Sequence, residues 1–331
     1  MVIPGQTELR KDPASGRWIL VRSGAPLPKG SSACPFCPGR EAETPPEIAA
    51  YRTNGQRANG SDWIVRVIPE RAPLLQIEGN ILREGQGIFD RVSGRGASEL
   101  VIEHPEHGVA WDKLPTEAVE RVLWMYRERV ADLYRDAQIR SILIRRREYT
   151  PGDPISHSVS RILGAPIVFD DLRRELATAR QYYIYKQRCL YCDILCQERQ
   201  EGARVVEETP SFLVYTPYGS RRPFETWLVP MIHRHRFEAT APEELADLAR
   251  ALQVVLQRLH AVQPGVPVEL TLHTAPNARM RLREDEWHSL HEDYHWHIEL
   301  APDGGGHEDV GGFAVNPVPP EEAAKRLREA R

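Results

Sequence analysis

The chain holds no uninterrupted apolar run of about 18 residues, the least that a membrane-spanning helix needs, so no contact with a membrane is expected. Residues 1–11 carry neither the basic start nor the apolar stretch of a secretion signal, and a cytoplasmic location is expected. An excess of positive charge is missing too. Net charge is −4 and the pI about 6.3, which argues against a general nucleic-acid binder but leaves room for a local basic pocket that takes a small anion. Cysteine is scarce, with 5 in 331 residues, too few for a disulfide scaffold. Cys34 with Cys37, and Cys189 with Cys192, form C-x-x-C pairs, which in a reducing compartment point to metal or redox chemistry. Neither pair is expected to begin a helix in a βαβ unit, so a thioredoxin-like role is disfavoured. Cys196 reads as a small packed residue. The triple glycine at 304–306 lacks a phosphate-loop context and reads as a turn.

What is present is ordinary for a globular protein, 41% hydrophobic and 27% charged, in one large domain or two of about 150 to 170 residues. The order of elements repeats. In the first half, residues 17–22, 63–68 and 100–103 read as strands. Pro115 and Thr116 open a helix with Val119, Val122, Leu123, Tyr126, Val130 and Leu133 on its apolar face, and a strand at 140–144 follows. In the second half, strands at 211–216 and 226–230 precede a helix opened by Pro242 and Glu243, with Leu245, Leu248, Leu252, Val255, Leu256 and Leu259 at helical spacing. Strands at 268–273 and 295–300 complete the unit. The expected fold is α+β: two tandem modules with antiparallel sheets and flanking helices, pseudo-twofold, divided as residues 1–175 and 176–331.

Each cysteine pair is followed by spaced histidines. Zinc takes four thiolate or imidazole ligands in a tetrahedron, and a C-x-x-C turn supplies two of them. The first set is Cys34, Cys37, His107 and His157. The second is Cys189, Cys192, His233 and His295, or, in a competing scheme that would suit iron or zinc, Glu198, His273, His295 and His297. The two histidine series end differently: His295-Trp-His297 in the second half, His157-Ser-Val159 in the first.

The segments RWILVR (17–22), CPFCPG with Thr44-Pro-Pro-Glu47, ELVIEHPEH (99–107), Arg222-Pro-Phe-Glu-Thr-Trp227, Tyr294-His-Trp-His-Ile-Glu299 and Asn316-Pro-Val-Pro-Pro320 resemble the galactose-1-phosphate uridylyltransferase family, within the histidine-triad superfamily, over nearly the whole chain. The resemblance implies two histidine-triad-like modules, zinc, a nucleotide, nucleotide sugar or sugar phosphate as ligand, and a homodimer. In that family a His-Pro-His-Ser-Gln segment supplies a zinc ligand, then a nucleophile that takes the nucleoside monophosphate, then a glutamine on the phosphate. Here the segment is His157-Ser158-Val159-Ser160-Arg161.

By the resemblance His157 keeps the zinc-ligand place and Val159 takes the nucleophile's. Arg161 replaces the glutamine, Glu70 and Arg147 fall at asparagine places, and residues 24–27 replace an arginine-rich segment. The implied protein is a divergent, nucleotidyltransferase-like member without the usual His-uridylyl ping-pong step. The alternative is a non-catalytic ligand-binding or structural zinc protein of the same fold. Arg145, Arg147 and Arg161 are the candidate ligand-binding residues, by forked hydrogen bonds to phosphate or carboxylate. His297, with Glu299 along the same strand face, and Ser160 are the remaining catalytic candidates. His235 reads as a surface residue.

Overall fold

The computed structural model describes residues 7–22, 34–53, 57–149, 156–277, 287–303 and 309–330. The expectations for residues 24–27 and 304–306 lie outside that set. In chain order the strands and helices of the first half are β1 (Thr7–Lys11), β2 (Trp18–Arg22), β3 (Ala49–Arg52), β4 (Trp63–Pro69), β5 (Arg83–Gln86), β6 (Phe89–Ser93), β7 (Ala97–Ile102), α1 (Thr116–Leu133), β8 (Ser141–Arg147) and β9 (Val159–Ala165). There follow α2 (Asp170–Lys186), α3 (Leu190–Glu201), β10 (Val205–Glu208), β11 (Phe212–Tyr215), β12 (Thr226–Pro230) and α4 (Pro242–Val262). The chain continues through β13 (Val268–His273), α5 (Leu290–Asp293), β14 (His297–Pro302), β15 (Asp309–Val310), β16 (Phe313–Ala314) and α6 (Pro320–Glu329).

Ten strands form one sheet in the order β10-β11-β12-β14-β13-β8-β9-β7-β4-β3, with every pairing antiparallel. Read outward from the central β8–β13 pair, the two wings repeat each other. β9, β7, β4 and β3 lie on one side, and β14, β12, β11 and β10 occupy the matching places on the other. A four-stranded sheet, β2-β1-β6-β5, stands apart and went unseen in the repeat pattern.

Alternation along the strands assigns the two faces of the large sheet. Val101, Ile142, Ile144, Ile162, Leu270, Leu272, Ile298 and Leu300 are buried with the apolar stripes of α1 and α4 in one core. The helices begin where their sequences say they should. Pro242 opens α4, and the Glu244 carboxylate accepts a hydrogen bond from the Ala241 N–H at 2.7 Å. The opposite face carries the polar and charged side chains that the repeat pattern singled out. Behind α6, the Asn316 amide donates to the carbonyls of Ser220 and Arg222 at 3.1 and 3.2 Å, tying the C-terminal segment to the RPFETW stretch.

Four helices escaped the sequence pattern, α2, α3, α5 and α6, and the first two matter to the site. The second C-x-x-C pair does begin a helix: Cys189 is the residue before α3 and Cys192 lies in its first turn, although no βαβ unit surrounds it. Cys196, expected to be packed, is exposed, because it falls on the solvent side of α3. His235, expected on the surface, is half-buried, and burial pulls its pKa down to about 4.

Candidate active site and metal centres

Four side chains converge in each half. In the first, Cys34 Sγ lies 3.8 Å from His157 Nδ1, and Cys37 Sγ lies 3.5 Å from His107 Nδ1 and 3.9 Å from His157 Nδ1. In the second, Cys192 Sγ lies 3.4 Å from His233 Nδ1 and 3.9 Å from His295 Nδ1, with Cys189 completing the group. Ligand atoms about 2.0 to 2.3 Å from one tetrahedral ion sit about 3.5 Å apart, so both groups have the spacing of a metal site.

The far side of each ring agrees. His157 Nε2 donates to the His104 carbonyl at 2.7 Å, and His107 Nε2 pairs with Ser156 Oγ at 2.9 Å. His233 Nε2 donates to the His291 carbonyl at 3.0 Å, and His295 Nε2 to that of Ile232 at 3.1 Å. With Nε2 carrying the proton, each Nδ1 turns a lone pair toward the sulfurs, the second-shell arrangement of ligating imidazoles. Burial raises the Cys34 thiol and lowers His157. A free Cys34 thiol would stay neutral there, and a cation is what would make its thiolate favourable.

Val159 begins β9 and Arg161 follows on the same face. A cavity of about 530 Å³ opens there, lined by Val159, Arg161, Arg145, Arg147 and Tyr149. The structure therefore brings the three candidate arginines together. Each has a carboxylate partner: Arg145 with Glu269, Arg147 with Asp303 at 2.7 Å, and Arg161 with Glu70 at 2.6 Å. The last pair joins the two positions at which the resemblance implies an asparagine and a glutamine.

Beneath the pocket lies a buried polar network. Glu103, 0% exposed, accepts from Trp111 Nε1 at 2.7 Å, Arg146 Nε at 3.0 Å, Tyr126 at 3.0 Å and the hydroxyls of Ser158 and Ser160. Arg146 stacks over Trp111 at 4.6 Å. Ser160 lines the cavity but is 1% exposed, its hydroxyl committed to Glu103 and Tyr126.

His297 begins β14 as Val159 begins β9, and Glu299 stands where Arg161 does. His297 is fully buried, stacked between Trp227 and His273 with ring centroids 4.8 Å away on each side. Its Nε2 faces Glu299 at 3.8 Å and Glu175 at 4.0 Å. His273 meets Glu175 at 2.9 Å and Glu299 at 3.8 Å. The Nε2 atoms of both rings are buried without a hydrogen-bond partner. Burial disfavours charge on Glu175, His273 and Glu299, yet Glu175 and Glu299 raise His273 to about 9, and His297 and His273 help hold Glu299 down to about 2.

The competing set of Glu198, His273, His295 and His297 is not assembled. Glu198 accepts from Arg204 at 3.0 Å, and His295 turns toward Cys192. Its carboxylates are instead Glu175 and Glu299, which group with His273 and His297. Glu175 was missed because α2 was; Leu172, Leu176 and Ala179, buried at helical spacing, were the available signal.

No family model matches the sequence. The chain is 28% identical to the ADP-glucose phosphorylase of Arabidopsis thaliana over 97% of its own length and 92% of the plant protein. It is 26% identical to the galactose-1-phosphate uridylyltransferase of Thermotoga maritima, over 97% and 98% of the two chains. A solved structure of an Arabidopsis thaliana ADP-glucose phosphorylase with bound ADP-glucose superposes with a TM-score of 0.74 at 26% identity, over 98% of this chain and 99% of that one. With the matching α+β fold, these full-length relatives support a place for the chain in the galactose-1-phosphate uridylyltransferase family, among GalT-like proteins that include ADP-glucose phosphorylase.

Proposed function

We propose that this protein handles a nucleotide sugar or sugar phosphate in the cavity beside Val159, without forming a nucleotidyl-histidine intermediate. The observation that carries this reading is the cavity's lining: an apolar side chain stands where β9 begins, with Arg145, Arg147 and Arg161 around it. Valine has no lone pair to attack phosphorus. Three guanidiniums suit a phosphate, which would displace Glu269, Asp303 and Glu70 from them. If the protein is catalytic, the acceptor's own oxygen attacks phosphorus as the sugar-phosphate leaving group departs, and the chain positions the two and neutralises charge.

The sequestered Ser160 and the absence of a free base among the described lining residues favour a second reading, a ligand-binding protein that performs no chemistry. Incubation with labelled UDP-glucose and ADP-glucose separates these readings from the family's usual one. Saturable binding with no protein-bound label is expected, and a trapped covalent nucleotidyl adduct would refute the assignment of Val159. Turnover with a sugar phosphate or inorganic phosphate then tells enzyme from binder.

The two Cys2His2 groups are read as zinc sites, and the Glu175, His273, His297 and Glu299 group as a further N/O site suited to iron or zinc. Elemental analysis should then find metal beyond two zinc equivalents, and Glu175→Gln should remove only the excess. We also read residues 1–175 and 176–331 as two modules sharing one sheet and one core, with the boundary inside α2, and the working protein as a homodimer; sedimentation measures the latter.

A further inference from the structure

A cavity of about 660 Å³ lies outside both sites, between the four-stranded sheet and α2. Its polar lining is lopsided. Lys11, Arg83, Arg91, Arg140, Arg173 and Arg180 face only Glu84 and Asp90, in a chain whose net charge is −4.

Some of this charge is already matched. Arg91 donates to Glu84 at 2.7 Å, and Arg173 donates to the Val168 carbonyl at 3.2 Å and approaches Asp170 at 3.9 Å. Lys11, Arg83 and Arg180 have no ion-pair partner among the described residues, and they come from β1, β5 and α2. Trp18 and Trp287 also line the cavity, and the Trp287 Nε1 is buried with no hydrogen-bond partner. Ammonium, guanidinium and indole groups donate hydrogen bonds and accept none. Such a wall is complemented by an acceptor-rich anion.

We propose that this cavity is a second anion site, for a small ligand carrying two or more linked phosphates. The three cations without an ion-pair partner stand on three separate elements around a space far larger than one phosphate, which suits a chain of phosphates rather than a single one. Guanidiniums meet phosphate oxygens with paired, charge-assisted bonds, and a nucleoside ring would find two indoles in the lining. The site is distinct from the cavity beside Val159. On α2, residues 173, 176, 177 and 180 line it, while Glu175 points to the opposite side of the helix, toward His273.

Titration of the full chain with tripolyphosphate and with ATP at about 0.15 M salt, followed by tryptophan fluorescence and melting temperature, tests the site. With the cavity beside Val159 saturated by UDP-glucose, one further saturable binding event with stabilisation is expected for both. Equal affinities assign recognition to the phosphate chain, and tighter binding of ATP adds stacking on Trp18 and Trp287. The double variant Arg83→Gln/Arg180→Gln should weaken binding about tenfold or more, and Lys11→Gln alone severalfold. Arg147→Gln/Arg161→Gln should leave the affinity unchanged. The proposal fails if neither probe binds saturably, if Lys11→Gln and the double variant both leave affinity intact, or if the Arg147/Arg161 variant abolishes binding. It fails as well if single-stranded oligonucleotides bind more tightly than ATP. Should the double variant not fold, the Lys11→Gln titration decides.

Discussion

The first residue of β9 and the first residue of β14 occupy equivalent places in the two wings of one sheet, and they have been put to opposite uses. At β14 the place holds His297, buried among His273, Glu175 and Glu299. At β9 it holds Val159, 9% exposed, at the edge of an open cavity ringed by arginines. Both strands also pass beside a Cys2His2 group, through His295 and His157. The metal-ready layer is therefore alike in the two halves while the layer next to it differs completely. One half gathers groups of opposite sign into a cluster whose His273 and Glu299 border a cavity of about 400 Å³. The other presents cations to a space that a ligand can enter.

The likeness breaks first, and hardest, if the cysteines are removed. Structural zinc in small domains contributes about 10 to 16 kcal/mol of apparent binding free energy, so Cys34→Ser and Cys189→Ser should each lower the melting temperature by about 10 °C or more. Each should also cost one equivalent of bound zinc, read by elemental analysis. The two variants should part company in ligand binding. Cys34→Ser disturbs His157, two residues from Val159, and should weaken nucleotide-sugar binding; Cys189→Ser should spare it in whatever protein remains folded.

The support beneath the first-half pocket comes next. Glu103→Gln would leave Arg146, 3% exposed, without its full counter-charge. Breaking a buried ion pair in this way costs about 3 to 5 kcal/mol, measurable by urea unfolding. Loss of less than about 1 kcal/mol would mean that Glu148, 3.3 Å from Arg146, carries the pair alone.

A smaller effect should appear with pH. His260 on α4 bridges Glu148 at 2.9 Å and Asp112 at 3.2 Å. Hydrogen bonding to Glu148 raises its pKa above the ordinary 6.5 despite burial. A raised folded-state pKa means the stabilisation is fully present below about 6.5 and is lost as pH climbs through the folded value. Unfolding free energy should therefore decline by about 1 kcal/mol across that alkaline rise, and His260→Gln should flatten the decline. An unchanged slope in the variant would assign the pH dependence elsewhere.

Much of this contrast was legible in the sequence, because it rests on local signals. The C-x-x-C pairs, the His-x-His segment against His-x-Val, and the paired helices with apolar stripes all keep fixed spacing, and the two Cys2His2 groups assemble from the residues that spacing named. The carboxylates were harder. Glu175 reaches His273 from a helix with a weak apolar stripe, and Glu198 lost its place because Arg204, six residues on, claims it. The Glu70–Arg161 pair spans β4 to β9 and has no local signature. The four-stranded sheet was missed for a related reason: β5 is exposed at all four of its residues, so no alternation marks it.

The smallest change expected is also the most telling one. Val159→His would place an imidazole at the start of β9, giving both wings a histidine in the equivalent place. If the two halves differed only by that residue, the variant should begin to trap label from UDP-glucose or ADP-glucose. The geometry argues otherwise. Arg161 and Glu70 are matched to each other, Arg147 is matched to Asp303, and Ser160 is held by Glu103 and Tyr126. An imidazole added above them meets cations that disfavour its protonated form and no carboxylate free to orient it. Label should stay off the protein, and nucleotide-sugar affinity should remain within about twofold, a difference below 0.5 kcal/mol. A stable adduct would mean that the pocket around Val159 still supports histidine chemistry and that one residue separates this chain from it.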